Sequence, residues 1–201
     1  MKPANCRLVL PQQAAVLLLA TALLLSMQSA VSAELTEDQA AFLERKVNSL
    51  PSEREGEVTL RLIPSHTSLE PGQTFQVGVD FRIRFGWHMY AAEQTGSQIP
   101  VRLKWTLPDG VEVRDVSWSK AETDAESKAA AYTRKARAIA TLSTTKAVAG
   151  EMSELKVKVS WQVCKDVCKV GAKELSLPMA WGKSRATELA PLLEAQTTGD
   201  K

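Results

Sequence analysis

The sequence predicts an all-β fold: an immunoglobulin-like antiparallel β-sandwich with a short amino-terminal helix. Two observations carry this reading. From Val58 onward, apolar residues recur with a period of two in several short runs separated by turn signals. Helical periodicity is confined to the segment before Pro51 and to stretches of the tail that Pro191 interrupts.

The elements follow in order. Residues 1–33 have the layout of a secretory signal peptide: basic Lys2 and Arg7, an apolar run from Ala14 to Leu25, and small residues at Ala30-Val31-Ser32-Ala33. Cleavage is expected after Ala33. The apolar run is about twelve residues, whereas a bilayer span needs roughly twenty, so the exported chain is expected to be soluble. Residues 34–56 are expected to hold a helix and a linker. Thr36 and Gln39 fit a capping box, Leu43, Val47 and Leu50 share one helical face, Pro51 ends the helix, and Ser52 to Gly56 is polar.

Residues 57–182 are expected to form the sandwich. Val58, Leu60 and Leu62 alternate with Thr59 and Arg61, and Glu70-Pro71-Gly72 marks a turn. Phe75, Val77, Val79, Phe81 and Ile83 alternate with Gln76, Gly78, Asp80 and Arg82, which predicts one face inward and one to water. Val101, Leu103, Trp105 and Leu107 repeat the pattern before Pro108-Asp109-Gly110, and Val111 and Val113 follow. Lys120 to Ala131 has no strand period and reads as a long loop. Tyr132 to Leu142 reads as an alanine-rich strand, Leu155 to Val163 as a strong one, and Leu175, Leu177 and Met179 as the last. Residues 183–201 are expected to be a tail without an assigned role.

Once the leader is removed, 23 basic and 23 acidic residues remain. A neutral chain gives no electrostatic reason to expect nucleic acid or an anionic membrane as partner. The sequence contains no phosphate-binding glycine loop and no nucleophile elbow. No cofactor is implied, and no paired metal-ligand motif. The chemistry concentrates in one stretch, Trp161-Gln-Val-Cys-Lys-Asp-Val-Cys168. Cys6 leaves with the signal peptide, so the exported chain keeps an even pair that can be oxidised.

Alternation places Cys164 on the face opposite Trp161 and Val163, with Lys156, Lys158, Ser160 and Gln162, so it is expected to point away from the core into solvent. Three residues separate it from Cys168, the length of a common hairpin loop, and directly opposed cysteines are close enough to bridge. The pair is therefore expected at an exposed hairpin tip. Lys165 and Lys169 favour thiolate there, and Asp166 opposes them. Three readings are open on the residues alone: a redox pair, a structural staple in a binding module, or a soft-metal site using both cysteines with His88 and Met89. Trp87, Trp105 and Trp161 are expected in the core, as is Tyr132 unless it anchors a loop.

At this motif the sequence resembles the amino-terminal periplasmic domain family of the DsbD thiol–disulfide interchange proteins, over about Val58 to Met179. The landmarks are Gly86-Trp87-His88-Met89-Tyr90, then Trp105 with Leu107-Pro108-Asp109-Gly110, then Tyr132, then Trp161 with Cys164 and Cys168. The resemblance implies an immunoglobulin-like fold that takes electrons from a membrane-embedded donor and hands them to periplasmic redox proteins. It places His88 and Tyr90 beside the cysteines. It makes Lys120 to Ala130, with Glu122, Asp124 and Glu126, a cap loop over the pair. The sequence departs from the family in having no Phe or Tyr in that loop before Tyr132, and in stopping where full-length members continue into membrane and thioredoxin-like domains. The resulting expectation is a periplasmic thiol–disulfide interchange component of the protein-disulfide reductase type. Its donor is expected on a separate chain, with Cys164 attacking and Cys168 resolving.

Overall fold

The computed structural model describes residues 35–94, 96–124, 128–145 and 152–199. Residues 1–33, read as a signal peptide, lie outside them. No helix among the described residues is long and apolar enough to cross a membrane.

Helix α1 spans Glu37–Ser49. Its start is the capping box the sequence predicts: Gln39 N–H donates to Thr36 Oγ1 at 3.3 Å, and Thr36 N–H donates to Gln39 Oε1 at 3.0 Å. Among the described residues eleven strands follow: β1 Glu53–Glu55, β2 Val58–Pro64, β3 Thr74–Ile83, β4 His88–Tyr90, β5 Arg102–Thr106, β6 Val111–Trp118, β7 Glu122–Thr123, β8 Ala130–Thr133, β9 Lys135–Thr144, β10 Met152–Cys164 and β11 Cys168–Ala180. Helix α2, Ala190–Gly199, closes the order. One sheet runs β1-β2-β3-β9-β6. The other runs β11-β10-β4-β8-β7, with β5 also pairing β10. All these pairings are antiparallel.

The inward residues of the two sheets form the sandwich core. Val79, Phe81, Met89, Tyr132, Val157, Val159 and Trp161 pack in one part, and Phe75, Val77, Leu142, Leu155 and Met179 in the other. Trp161 demands a particular partner. Its cross-strand neighbour is Gly171, and a Cβ there would lie 2.7 Å from the indole ring.

The structure corrects the sequence reading in four places. The face of β3 predicted to meet water is covered: Ile63 and Ile139, on the same outer face, pack with Leu43 and Val47 of α1 and with Leu189, Leu192 and Leu193 of the tail. Gly78 is where Leu193 approaches, 2.8 Å from where a Cβ would stand. The tail is thus part of the fold, and Pro191 lies in the first turn of α2, where proline favours a helix rather than breaking it. The polar stretch read as a linker contains β1, paired to β2. Tyr132 to Leu142 is two strands, because Arg134 adopts φ 60° and carries the chain from one sheet to the other.

Candidate functional site

The strand β10 is regular to its last residue, and β11 returns beside it with Cys164 opposite Cys168. Lys165, Asp166 and Val167 make the loop, in which Lys165 N–H donates to Val167 O at 3.1 Å. The cysteines are bridged, with Cα atoms 4.1 Å apart. The hairpin thus forms as the spacing predicts.

The exposure of the two cysteines differs from the prediction. Cys164 does turn its side chain away from the sandwich core, but it is only 3 % exposed, packed in a small cluster with Tyr90, Ala129 and Ala131. Cys168 is the exposed member of the pair. Alternation identifies the face a side chain uses; here a second piece of chain lies over that face.

That piece is the segment read as a cap. Its stems are β7 and β8, a short hairpin pairing Glu122 with Ala131 and Thr123 with Ala130. Backbone bonds hold it: Asp124 N–H donates to Ala129 O at 2.8 Å, and Ala91 N–H to Ala130 O at 2.9 Å. Ala130 N–H donates to Gln94 Oε1 at 3.0 Å. Glu122 accepts from the Thr133 hydroxyl at 3.0 Å. Glu126 lies outside the described residues.

His88 and Tyr90 stand beside the pair on β4. His88 is in register with Cys164. Its Nε2 is 3.3 Å from the Tyr90 hydroxyl, and its Nδ1 is 3.7 Å from Asp124 Oδ1. His88 therefore joins the floor of the site to the cap. Met89 points the other way and is fully buried in the core, so it cannot join His88 in the soft-metal arrangement. No group of three or more His, Cys, Asp and Glu side chains is placed to hold a metal ion among the described residues.

The sequence reading missed the surface around Cys168. Phe85 is 79 % exposed, Val167 60 % and Val170 70 %. Val170 shares the outer face of β11 with Cys168, and Val167 adjoins it in the loop. Phe85 belongs to the same end, since the Lys165 side chain passes 3.8 Å from the Cβ position of Gly86. The Arg134 guanidinium lies over the Phe85 ring at 5.3 Å, and the Lys169 ammonium over Trp87 at 4.7 Å. Lys169 also reaches Glu57 at 2.9 Å, and Arg84 reaches it at 3.0 Å. The hydrogen bonds from Lys169 and Arg84 hold the Glu57 carboxyl below its ordinary range. The available sequence signal was apolar residues where polar ones belong, in a hairpin loop and on the wet face of an edge strand.

The family model described as thiol:disulfide interchange protein DsbD, N-terminal, matches residues 61–180. Comparison with curated sequences gives no match. Among solved structures the chain is similar to the N-terminal periplasmic domain of ScsB from Proteus mirabilis, with 13 % identity and TM-score 0.45 over 63 % of this chain and 49 % of that one. It spans about half the length of that domain. It is also similar to the DsbD n-terminal domain of Neisseria meningitidis in the reduced form, with 22 % identity and TM-score 0.35 over 62 % and 89 % of the two chains.

Proposed function

The chain belongs to the family of DsbD amino-terminal domains, and from that premise we propose that it is a periplasmic thiol–disulfide exchange protein that relays electrons through Cys164 and Cys168. Its partners are then periplasmic redox proteins on one side and a membrane-embedded electron donor on the other. The observation that supports this most is a bridge whose two sulfurs differ in access: Cys164 is covered and Cys168 is open at a hairpin tip ringed by exposed apolar side chains.

A donor thiolate attacks Cys168 Sγ, the S–S bond breaks, and Cys164 leaves as thiolate under the cap. The donor's second thiolate then attacks its own sulfur in the mixed disulfide and releases Cys168, so two electrons have entered and the donor is oxidised. In the onward step the Cys168 thiolate attacks an acceptor disulfide, and Cys164 attacks Cys168 to restore the bridge and free the reduced acceptor. The burial asymmetry favours roles opposite to those expected from the sequence, and on this reading Cys168 exchanges and Cys164 resolves.

Single-cysteine variants test this. Cys164→Ser, which keeps Cys168, should accumulate a mixed disulfide with a partner in the periplasm after acid quench and alkylation. Cys168→Ser should accumulate little. Trapping by Cys168→Ser alone would restore the original assignment, and trapping by neither would favour a binding module with a structural bridge.

A further inference from the structure

A sizeable cleft lies away from the disulfide. It opens where the edges of the two sheets part, between β2, β11 and the chain after α1, and measures about 550 Å³. That size falls in the range of small-molecule sites. Leu60, Leu62, Leu175 and Leu177 line it, with Pro64 and Pro178. Arg61 supplies its cation. Arg61 Nε and Nη1 are buried and have no acceptor among the described residues. A desolvated guanidinium without a counter-charge is costly.

Two of the acids around Arg61 are committed elsewhere. Asp80 stands opposite Arg61 in the β2–β3 register, yet its carboxylate accepts from Arg82 at 2.9 Å and from Arg137 at 2.7 Å. Glu53, on the cleft wall, pairs with Lys173 at 3.1 Å. Glu174 also lines the cleft, at its exposed rim, and stands opposite Lys158 in the β10–β11 register. The cleft therefore offers apolar walls and, at Arg61, a guanidinium whose buried Nε and Nη1 have no acceptor among the described residues.

We infer that this cleft binds a small apolar monocarboxylate, with its carboxylate on the Arg61 guanidinium and its hydrocarbon body against the leucines and prolines. A carboxylate matches the paired N–H groups of a guanidinium, and the walls reward burial of apolar surface. The site is separate from the cysteines: Glu174 stands six residue steps along β11 from Cys168, about 20 Å at strand rise.

The test uses decanoate and decanol as probes with the isolated protein. Decanoate should shift the amide resonances of Arg61, Leu62 and Leu177 saturably, leave those of Cys168 and its loop in place, and raise the thermal midpoint. Decanol should bind at least about tenfold more weakly, as expected when one charge-assisted contact is lost. Arg61→Gln should bind the two probes alike. Absence of saturable shifts would overturn the inference, as would equal affinity of the wild type for the two probes, or full decanoate affinity in Arg61→Gln. The wild-type comparison stands even if the variant folds poorly.

Discussion

The exposed apolar side chains around Cys168 assign separate tasks to neighbouring residues. On the proposed relay reading, exposed Phe85 and Val170 meet the partner protein, whereas the disulfide itself is set by β10 and β11. Replacing both with Ser should slow exchange with a partner protein by about tenfold, the equivalent of roughly 1.4 kcal/mol, while the rate with dithiothreitol stays unchanged. Stopped-flow measurement with both reductants checks this, and equal slowing of the two would show that the pair itself had been disturbed. Gly171 is the opposite case, a residue read best from its neighbour. Its Cβ position falls against the indole of Trp161, so Gly171→Ala forces a rigid ring to move. A loss of roughly 1–3 kcal/mol is expected, visible as a lower urea midpoint with unchanged slope.

At the scale of elements, two attachments decide how the site is built. The first is the docking of α1. Glu44 accepts hydrogen bonds from Arg82 at 2.7 Å, Lys135 at 2.8 Å and Arg137 at 3.1 Å, which ties the helix to β3 and β9. Partial burial pushes the Glu44 pKa up. The hydrogen bond from Lys135, the Arg137 charge, the hydrogen bond from Arg82 and the Lys135 charge outweigh it and lower the pKa from 4.5 to about 2. A carboxyl whose folded pKa is depressed stabilises the fold above its unfolded pKa and loses that contribution as pH falls through the folded value. Wild-type stability should therefore drop between about pH 5 and pH 2. Glu44→Gln should cost roughly 1–3 kcal/mol at pH 7 and show a shallower drop across that window in urea titrations. The second attachment is the cap. Replacing residues 124–128 with two glycines should make reduced Cys164 alkylate at least about tenfold faster, because Ala129 and Ala131 would no longer be held over it. An unchanged alkylation rate would mean the cap does not govern access.

At the scale of the whole molecule, sequence legibility followed the range of the interaction. The cysteine hairpin was legible because it is local: strict alternation from Leu155 to Val163, then a three-residue gap, fixes both register and face. The cover over Cys164 was not, because it comes from chain more than thirty residues upstream. The same holds for Gly78 and Asp80, polar or small residues at alternating positions that helices from both ends of the chain enclose. Ile63 and Ile139 were the available clue, apolar residues on a face that otherwise reads as wet. Arg134 escaped because a left-handed residue that is not glycine leaves no mark in the sequence.

The enclosed core also bears on the function. The sandwich and its helical cover pack Trp161, Tyr132, Phe81 and Leu193 without using the bridge, and closing so small a ring contributes only about 2 kcal/mol. Reduction should therefore leave the fold intact, as a relay needs. The most direct measurement is the midpoint potential of the Cys164–Cys168 couple in glutathione buffers, with near-ultraviolet circular dichroism recorded on the same samples. The expected result is a midpoint above about −300 mV, the level below which structural bridges typically lie, with the dichroism of the reduced protein preserved. A midpoint below that level, or loss of the tertiary signal on reduction, would contradict the relay and make the bridge a staple.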